Sequence, residues 1–222
     1  PLGAGLAYGL KYQEKKGCTL CFLGDGAVNQ GAFHESLNIA SLWDLPVVYI
    51  IENNGYSMGT SQERSSVHPE AGIAVRADGY NMNWAKINGE SLFDIREGVK
   101  KAMNLARDES KPSLLEIHTY RYQGHSIADA NHKKYRSKEE IDDYRKNHDP
   151  IILYRDYLLE SKLLDDDGIK KIDLAAKDEA EKSAAFAEQS EFPIEEDILK
   201  DVYWEEDNPD QKQSEGRIFF ND

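Results

Sequence analysis

The stretch CTLCFLGDGAVNQGAFHESLNIASLWDLPVVYIIENNG, residues 18–55, decides the fold. Residues 18–23 are short and apolar and read as a strand. Gly24-Asp25-Gly26 reads as a turn. Apolar residues at Phe33, Leu37, Ala40 and Trp43 then recur at roughly helical spacing. Pro46 closes that helix. Residues 45–51 are the longest apolar run of the chain, and the β-branched segment 47–51 reads as a second strand. Asn53-Asn54-Gly55 ends it as a loop. Strand, helix and strand in this order make a unit whose two strands run parallel.

The same rhythm extends on both sides. Residues 2–14 are rich in Gly and Ala and predict a closely packed helix that Gly17 stops. Residues 57–69 look polar and irregular. A helix near 69–77, a strand near 84–87 and a helix over 91–107 follow, and Pro112 precedes a strand over 113–120. The predicted class is therefore α/β, a mostly parallel sheet with helices on both faces and a helical C-terminal part. Residues 121–136 read as a polar loop. Ser137 is an expected N-cap, and Asp149-Pro150 interrupts the chain. Helices then continue to about residue 189, the last with one apolar stripe at Ile169, Ile172, Ala176 and Ala180. A short helix after Pro193 is expected to reach Trp204. The expected organisation is an α/β domain at 1–136 that lacks its N-terminal part, a helical part of the same domain at 137–204, and a loose acidic tail at 205–222.

Composition narrows the class further. The chain has 222 residues and a formal net charge of −14, from 41 acidic against 27 basic side chains. That balance argues against a nucleic-acid partner, which would need a basic face. No apolar run approaches the eighteen or so residues of a membrane span, so no membrane contact is expected. The chain opens at Pro1 without a Met and reads as cut within a domain, so any targeting segment would lie upstream. Cys18 and Cys21 have the spacing of a redox pair or of half a zinc site. Within a strand, however, residues three apart point to opposite faces, and no second Cys pair completes a metal site. They read as small buried apolar residues, which fits a reducing compartment.

The chemistry sits where the two strands of the opening stretch end. In a parallel sheet the C-terminal ends of adjacent strands lie side by side, and ligands bind there. Asp25 and Asn54, far apart in sequence, are thereby expected together. Gly24 and Gly26 let backbone approach a phosphate. The amides of Gly26 and Ala27 are expected at a helix start, where an anion is favoured. Asp25 offers one carboxylate oxygen and Asn54 one neutral amide oxygen. This donor set suits Mg2+ shared with a phosphorylated ligand.

With these residues in view, the segments GDGAVNQGAFHESLNIASLW (24–43), ENNGYSMGT (52–60) and TYRYQGHS (119–126) make the chain resemble the alpha chains of the thiamine-diphosphate-dependent 2-oxoacid dehydrogenases. The resemblance covers about residues 1–206 and is strongest to the pyruvate dehydrogenase branch. It implies a thiamin diphosphate-binding fold. It implies thiamine diphosphate and Mg2+ as cofactors, with the metal held by Asp25, Asn54 and the backbone carbonyl of Tyr56. Gly26 and Ala27 match positions whose backbone contacts the diphosphate. It implies oxidative decarboxylation of pyruvate with acyl transfer to lipoyl groups. A beta subunit in an alpha2beta2 heterotetramer would supply the glutamate that activates the cofactor, and a dihydrolipoyl acyltransferase core would receive the product. The compartment would be the cytoplasm in a bacterium, and the mitochondrial matrix or a plastid in a eukaryote.

The second informative segment is the loop that carries His125. A histidine on a Gly-hinged loop at a strand end can donate a hydrogen bond and titrates near neutral pH. On sequence alone a loop histidine is more often a surface residue. The resemblance places it at the mouth of the active site, where it would contact cofactor and substrate or assist acyl transfer. Ser126 matches a serine phosphorylated in mitochondrial relatives. A phosphate there would add roughly two negative charges beside a diphosphate site, and otherwise Ser126 is a loop serine. Arg121 and Asp129 match positions that hold this loop. Residues 130–134 contain no counterpart of a second regulatory serine, and His68 and His132 read as surface residues. Acetoin and branched-chain 2-oxoacid dehydrogenases are rival readings within the family. A non-catalytic acidic αβ interaction domain is the rival of another class.

Overall fold

A computed structural model describes residues 1–67, 70–129 and 135–200. Helix α1 spans Leu2–Tyr12. It ends earlier than the expected stop at Gly17, because Glu14 adopts the left-handed conformation at φ 53° and turns the chain. Strand β1 is Thr19–Gly24. A single 3-10 turn, Ala27–Asn29, follows, and helix α2 begins only at Gly31 and runs to Leu42. Gln30 separates the two with extended backbone, ψ 140°. Strand β2 is Val47–Asn53.

The segment expected to be irregular contains more order than that. Tyr56–Ser57 (β3) pairs antiparallel with Thr60–Ser61 (β4), and a one-turn helix α3, Gln62–Ser65, closes it. The helix expected near 69–77 is a 3-10 helix at Ile73–Tyr80; Pro69, its expected start, lies outside the described residues. Strand β5 is Asn83–Asn88, helix α4 Leu92–Glu109 and strand β6 Ser113–His118.

The four long strands form one parallel sheet in the order β1-β2-β6-β5. Strand β6, last in sequence, enters between β2 and β5. This central position explains the sequences of β2 and β6. Both are buried on both faces, so they are nearly continuous in apolar residues rather than alternating. On one face, Val47, Tyr49, Ile51 and Leu114 pack with Ala7, Phe33, Leu37, Ile73 and Ala77 of the flanking helices. On the other, Val48, Ile50, Leu115 and Ile117 pack against Ala102 and Ala106 of α4. Cys21 packs with the first layer and Cys18 with the second, so they face opposite sides of β1, and both thiols are free. Burial raises the Cys18 thiol pKa, with the nearby Arg107 opposing it.

Helices α5, Lys138–Asn147, and α6, Pro150–Glu160, complete this body. Ser137 caps α5 by accepting from the Glu140 amide at 3.0 Å. Asp149 caps α6 by accepting from Ile151 at 2.9 Å, with Pro150 in the first turn. The sequence break at 149–150 is thus a helix start. Tyr144 of α5 stacks on Tyr120, ring centroids 3.8 Å apart.

The chain divides into two compact units, Pro1–Leu163 and Leu164–Asp222. In the second, α7 runs Asp166–Gln189, capped by Asp165. Its apolar stripe is solvent-facing, with Ile172 55% exposed. A 3-10 turn at Glu195–Leu199 follows. Trp204 and the expected tail at 205–222 lie outside the described residues. No helix among the described residues is long and apolar enough to cross a membrane.

Candidate cofactor and metal site

The register of the sheet builds the site. Gly24 of β1 stands opposite Glu52 of β2. The next residues, Asp25 on one strand and Asn53-Asn54 on the other, therefore leave the sheet side by side. Asp25 is only 3% exposed. Burial raises the pKa of its carboxyl group; the backbone amides of Asp25 itself and of Asn54, and the charge of Arg121, pull it back. The carboxylate thus faces the Asn54 backbone, as the strand-end argument required.

The Asn54 side chain is held in turn. Its Oδ1 accepts from the Tyr56 amide at 3.2 Å. Its backbone carbonyl accepts from Arg136 Nη2 at 2.9 Å. Asn53 folds the loop back on itself, accepting through Oδ1 from the Gly55 amide at 2.9 Å. The positive φ of Gly55, 81°, lets the chain turn there. Gly26 lies against β3, and a Cβ on it would stand 2.0 Å from Ser57 Oγ. Gly26 therefore permits the approach of the two loops to each other. A Cβ on Gly24 would meet nothing within 4 Å.

The residues present fit a divalent cation that brings its own anion. Among the described residues no salt bridge reaches Asp25, and the charge of Arg121 only partly offsets its burial, since its pKa is still raised. Nor do three or more His, Cys, Asp or Glu side chains gather anywhere among them as a metal cage. One carboxylate with neutral amide and carbonyl oxygens suits Mg2+ that completes its shell with phosphate oxygens and water.

One expectation about the anion requires correction. Gly26 and Ala27 do not open a long helix. They open the 3-10 turn Ala27–Asn29, and α2 starts four residues further on. Any help to a diphosphate therefore comes from local amides rather than from the dipole of α2, because the dipole acts only within the first turn of a helix.

The His125 loop is clamped to the Asn54 loop. Arg121 Nη2 donates to the Met58 carbonyl at 2.8 Å. Its guanidinium lies 5.2 Å from the centre of the Tyr135 ring. The Tyr135 hydroxyl donates to the Asp129 carboxylate, which also accepts from the His125 amide at 3.3 Å. The Tyr56 hydroxyl donates to the Tyr135 carbonyl at 2.9 Å. Arg136 lies 4.0 Å from the Tyr120 ring centre and pairs with Glu140 at 2.6 Å. His125 itself is exposed, as is Ser126. Asp25, Gly26, Asn54 and Tyr56 are thus brought together; His125 is tied to that group indirectly, through its backbone amide, Asp129 and Tyr135. His68, His132 and the serine-free segment 130–134 lie outside the described residues.

Sequence reading passed over the residues beneath the site. Glu116 is fully buried on β6. Its Oε1 accepts from Asn53 Nδ2 at 2.7 Å and pairs with His118 Nε2 at 3.0 Å. Its Oε2 accepts from the Ala74 amide at 2.9 Å. Burial alone would raise this carboxyl's pKa, but His118, the Ala74 amide and Asn53 outweigh it and hold it down to about 2. One signal was available: a lone charge inside the apolar run SLLEIH. Arg136, just before the Ser137 cap, was the other omission.

Residues 1–195 match the family model described as the dehydrogenase E1 component, and the chain belongs to that family. The chain is 41% identical over 203 residues to the pyruvate dehydrogenase E1 component subunit alpha of Rickettsia bellii, covering 91% of this chain and 61% of that protein. It is 36% identical over 202 residues to the subunit of the same name from Zymomonas mobilis, covering 91% and 56%. To the mitochondrial subunit of Dictyostelium discoideum it is 39% identical over 206 residues, covering 93% and 53%. The chain therefore spans about three fifths or less of the length of these relatives.

Proposed function

We propose that this chain carries the diphosphate and metal half of the cofactor site in the alpha subunit of a thiamine-diphosphate-dependent pyruvate dehydrogenase. The observation that carries the reading is the buried Asp25 carboxylate, joined by no salt bridge among the described residues, facing Asn54 at the paired ends of β1 and β2. In this reading Asp25, Asn54 Oδ1 and the Tyr56 carbonyl hold Mg2+, and Gly24, Gly26 and Ala27 admit the diphosphate. The names of the relatives support pyruvate as the substrate.

When bound, thiamine diphosphate supplies the electron sink for decarboxylation. This chain's residues bind and orient. The metal would neutralise the diphosphate, and the Arg121, Tyr135 and Arg136 clamps close the His125 loop over the Asn54 loop. His125 then donates a hydrogen bond to substrate or cofactor at the site mouth. The ring end of the cofactor lies outside this chain, with contacts from the upstream part of the alpha subunit, and the activating glutamate belongs to the beta subunit of an alpha2beta2 assembly. The acyl group passes to lipoyl groups of a dihydrolipoyl acyltransferase core. Such an enzyme works in the cytoplasm of a bacterium, or in the matrix or plastid of a eukaryote.

The test is calorimetry of the full-length alpha chain assembled with its beta subunit. Wild type is expected to bind thiamine diphosphate only with Mg2+, and Asp25→Ala to abolish that dependence. Unchanged Mg2+-dependent affinity in Asp25→Ala would overturn the metal assignment. Turnover of pyruvate, acetoin and 2-oxoisovalerate by the same assembly would identify the substrate, and no turnover of any would favour a non-catalytic interaction domain.

A further inference from the structure

Two segments of the site leave different strands. The Asn54 loop follows β2. The Gly24–Gly26 turn follows β1 and runs into the 3-10 turn Ala27–Asn29. Both are braced from below by one side chain.

Glu116 reaches the Asn54 loop through Asn53. Asn53 Nδ2 donates to Glu116 Oε1 at 2.7 Å and also to Gln62 Oε1 at 2.8 Å, so the start and end of the β3–β4 hairpin close on one group. The Asn53 carbonyl accepts from the Thr119 amide at 2.8 Å, one residue past the His118 that pairs with Glu116. Asn53 is thus held at both its side chain and its backbone to the end of β6.

The other carboxylate oxygen reaches the 3-10 turn that follows Gly24–Gly26, by way of the 3-10 helix Ile73–Tyr80. Glu116 Oε2 accepts from Ala74 at the start of that helix. Two residues on, Arg76 Nη1 donates to the Val28 carbonyl at 2.9 Å and Nη2 to Asn29 Oδ1 at 3.1 Å. The approach of the helix to the carboxylate is built in at Gly72. Its φ is 92°, and a Cβ there would stand 2.7 Å from Glu116 Oε2. Gly72 therefore leaves room for the Glu116 carboxylate beside Ala74.

We infer that Glu116 is a positioning residue of the cofactor site: through Asn53 and through Ala74 and Arg76 it sets the Asn54 loop and the Gly24–Asn29 segment relative to each other. A buried, multiply bonded carboxylate suits this role because its hydrogen bonds are charge-assisted and fixed in direction. An apolar side chain would fill the space without joining the two segments. The inference rests on the reading of the site as one for thiamine diphosphate and Mg2+.

The experiment uses the full-length alpha chain assembled with its beta subunit. The variants are Glu116→Gln, Asn53→Ser, the double variant, and His118→Ala. Assembly is read by light scattering. The dissociation constant for thiamine diphosphate and the Mg2+ concentration for half-saturation are read by quenching of intrinsic fluorescence. Glu116→Gln is expected to assemble and to weaken cofactor binding about tenfold, the worth of one hydrogen bond to a charged group. Half-saturation should need correspondingly more Mg2+, and turnover at saturating cofactor should stay near wild type. The double variant should lose less than the sum of the two single losses, because both variants break the shared Glu116–Asn53 contact.

Lower melting temperature with wild-type cofactor affinity would reduce Glu116 to a core residue and overturn the inference. So would additive effects of Glu116→Gln and Asn53→Ser. If Glu116→Gln does not assemble, His118→Ala decides. It should raise both readouts about threefold, as a partial loosening of the same carboxylate, and no change overturns the inference. If wild type itself fails to bind thiamine diphosphate, the cofactor reading falls and takes this inference with it; wild-type binding with unaltered variants refutes the inference alone.

Discussion

Gly26→Ala tests how the two loops of the site fit together. Gly26 has φ −72° and ψ −32°, which any residue can adopt, so the substitution carries no backbone strain. The cost is contact. The new methyl would stand 2.0 Å from Ser57 Oγ, 2.7 Å from Ser57 Cβ and 3.4 Å from Ser57 Cα. Rotation of the Ser57 side chain relieves the first contact but not the second. Strand β3 must therefore move by several tenths of an ångström, and with it Tyr56, whose amide holds Asn54 Oδ1. Forced overpacking of this kind costs about 1–3 kcal/mol. If that cost falls on the bound state, the dissociation constant for thiamine diphosphate rises about five- to 150-fold. The assay is cofactor titration of the assembled heterotetramer, with differential scanning fluorimetry of the cofactor-free form. Ser57→Gly removes Oγ and Cβ and should restore most of the loss in the Gly26→Ala background. Gly24→Ala is the control. Its methyl meets no protein atom within 4 Å, so the cofactor-free melting temperature should not change, and any loss of affinity reports contact with the ligand. Wild-type affinity in Gly26→Ala, or failure of Ser57→Gly to rescue it, would refute the reasoning.

Other outcomes follow from the same contacts. Arg136→Met removes the donor to the Asn54 carbonyl and the pair with Glu140. It should weaken cofactor binding about tenfold and speed proteolytic cleavage of the loop around His125; cleavage at the wild-type rate would count against the clamp. Glu116 has a carboxyl held down from 4.5 to about 2. A depressed carboxyl contributes stability that is fully present above about pH 4.5 and is lost as pH falls toward about 2. Glu116→Gln should therefore flatten the acid limb of a melting-temperature profile between those values, and an unaltered slope there would argue against the pairing. Cys18 and Cys21 face opposite sides of β1. Zinc chelators should leave the melting temperature unchanged, and thiol titration after unfolding without reductant should count both as free; a chelator-induced shift would reopen the metal reading.

How much was legible beforehand differs from residue to residue. The pairing of Asp25 with Asn54 was readable because each immediately follows an apolar strand, and adjacent parallel strands must end together. The opposite facing of the two cysteines was readable from the two-residue period of a strand. The helix stops were less so. Gly17 looked like the terminator of α1, but Glu14 takes the left-handed conformation first, because Leu10 closes the turn by accepting from the Lys15 amide at 2.9 Å. The helix expected to cradle an anion at Gly26 is a single 3-10 turn, since Gln30 is extended. Neither outcome has a distinct sequence signature.

Sequence alone determined the parallel α/β class, the βαβ unit over residues 18–55, and the adjacency of Asp25 and Asn54 at its strand ends. These depend on periodicity and strand ends, which are local properties. Tertiary structure alone decided what supports them. Strand β6 is last in sequence but inserts between β2 and β5, and only that order carries Glu116 beneath Asn53 and beside the helix that begins near Gly72. The clamp of Arg136 on Asn54 likewise joins residues 82 positions apart. Contacts between such distant positions arise from the packing of whole elements, so no reading of neighbouring residues could have supplied them.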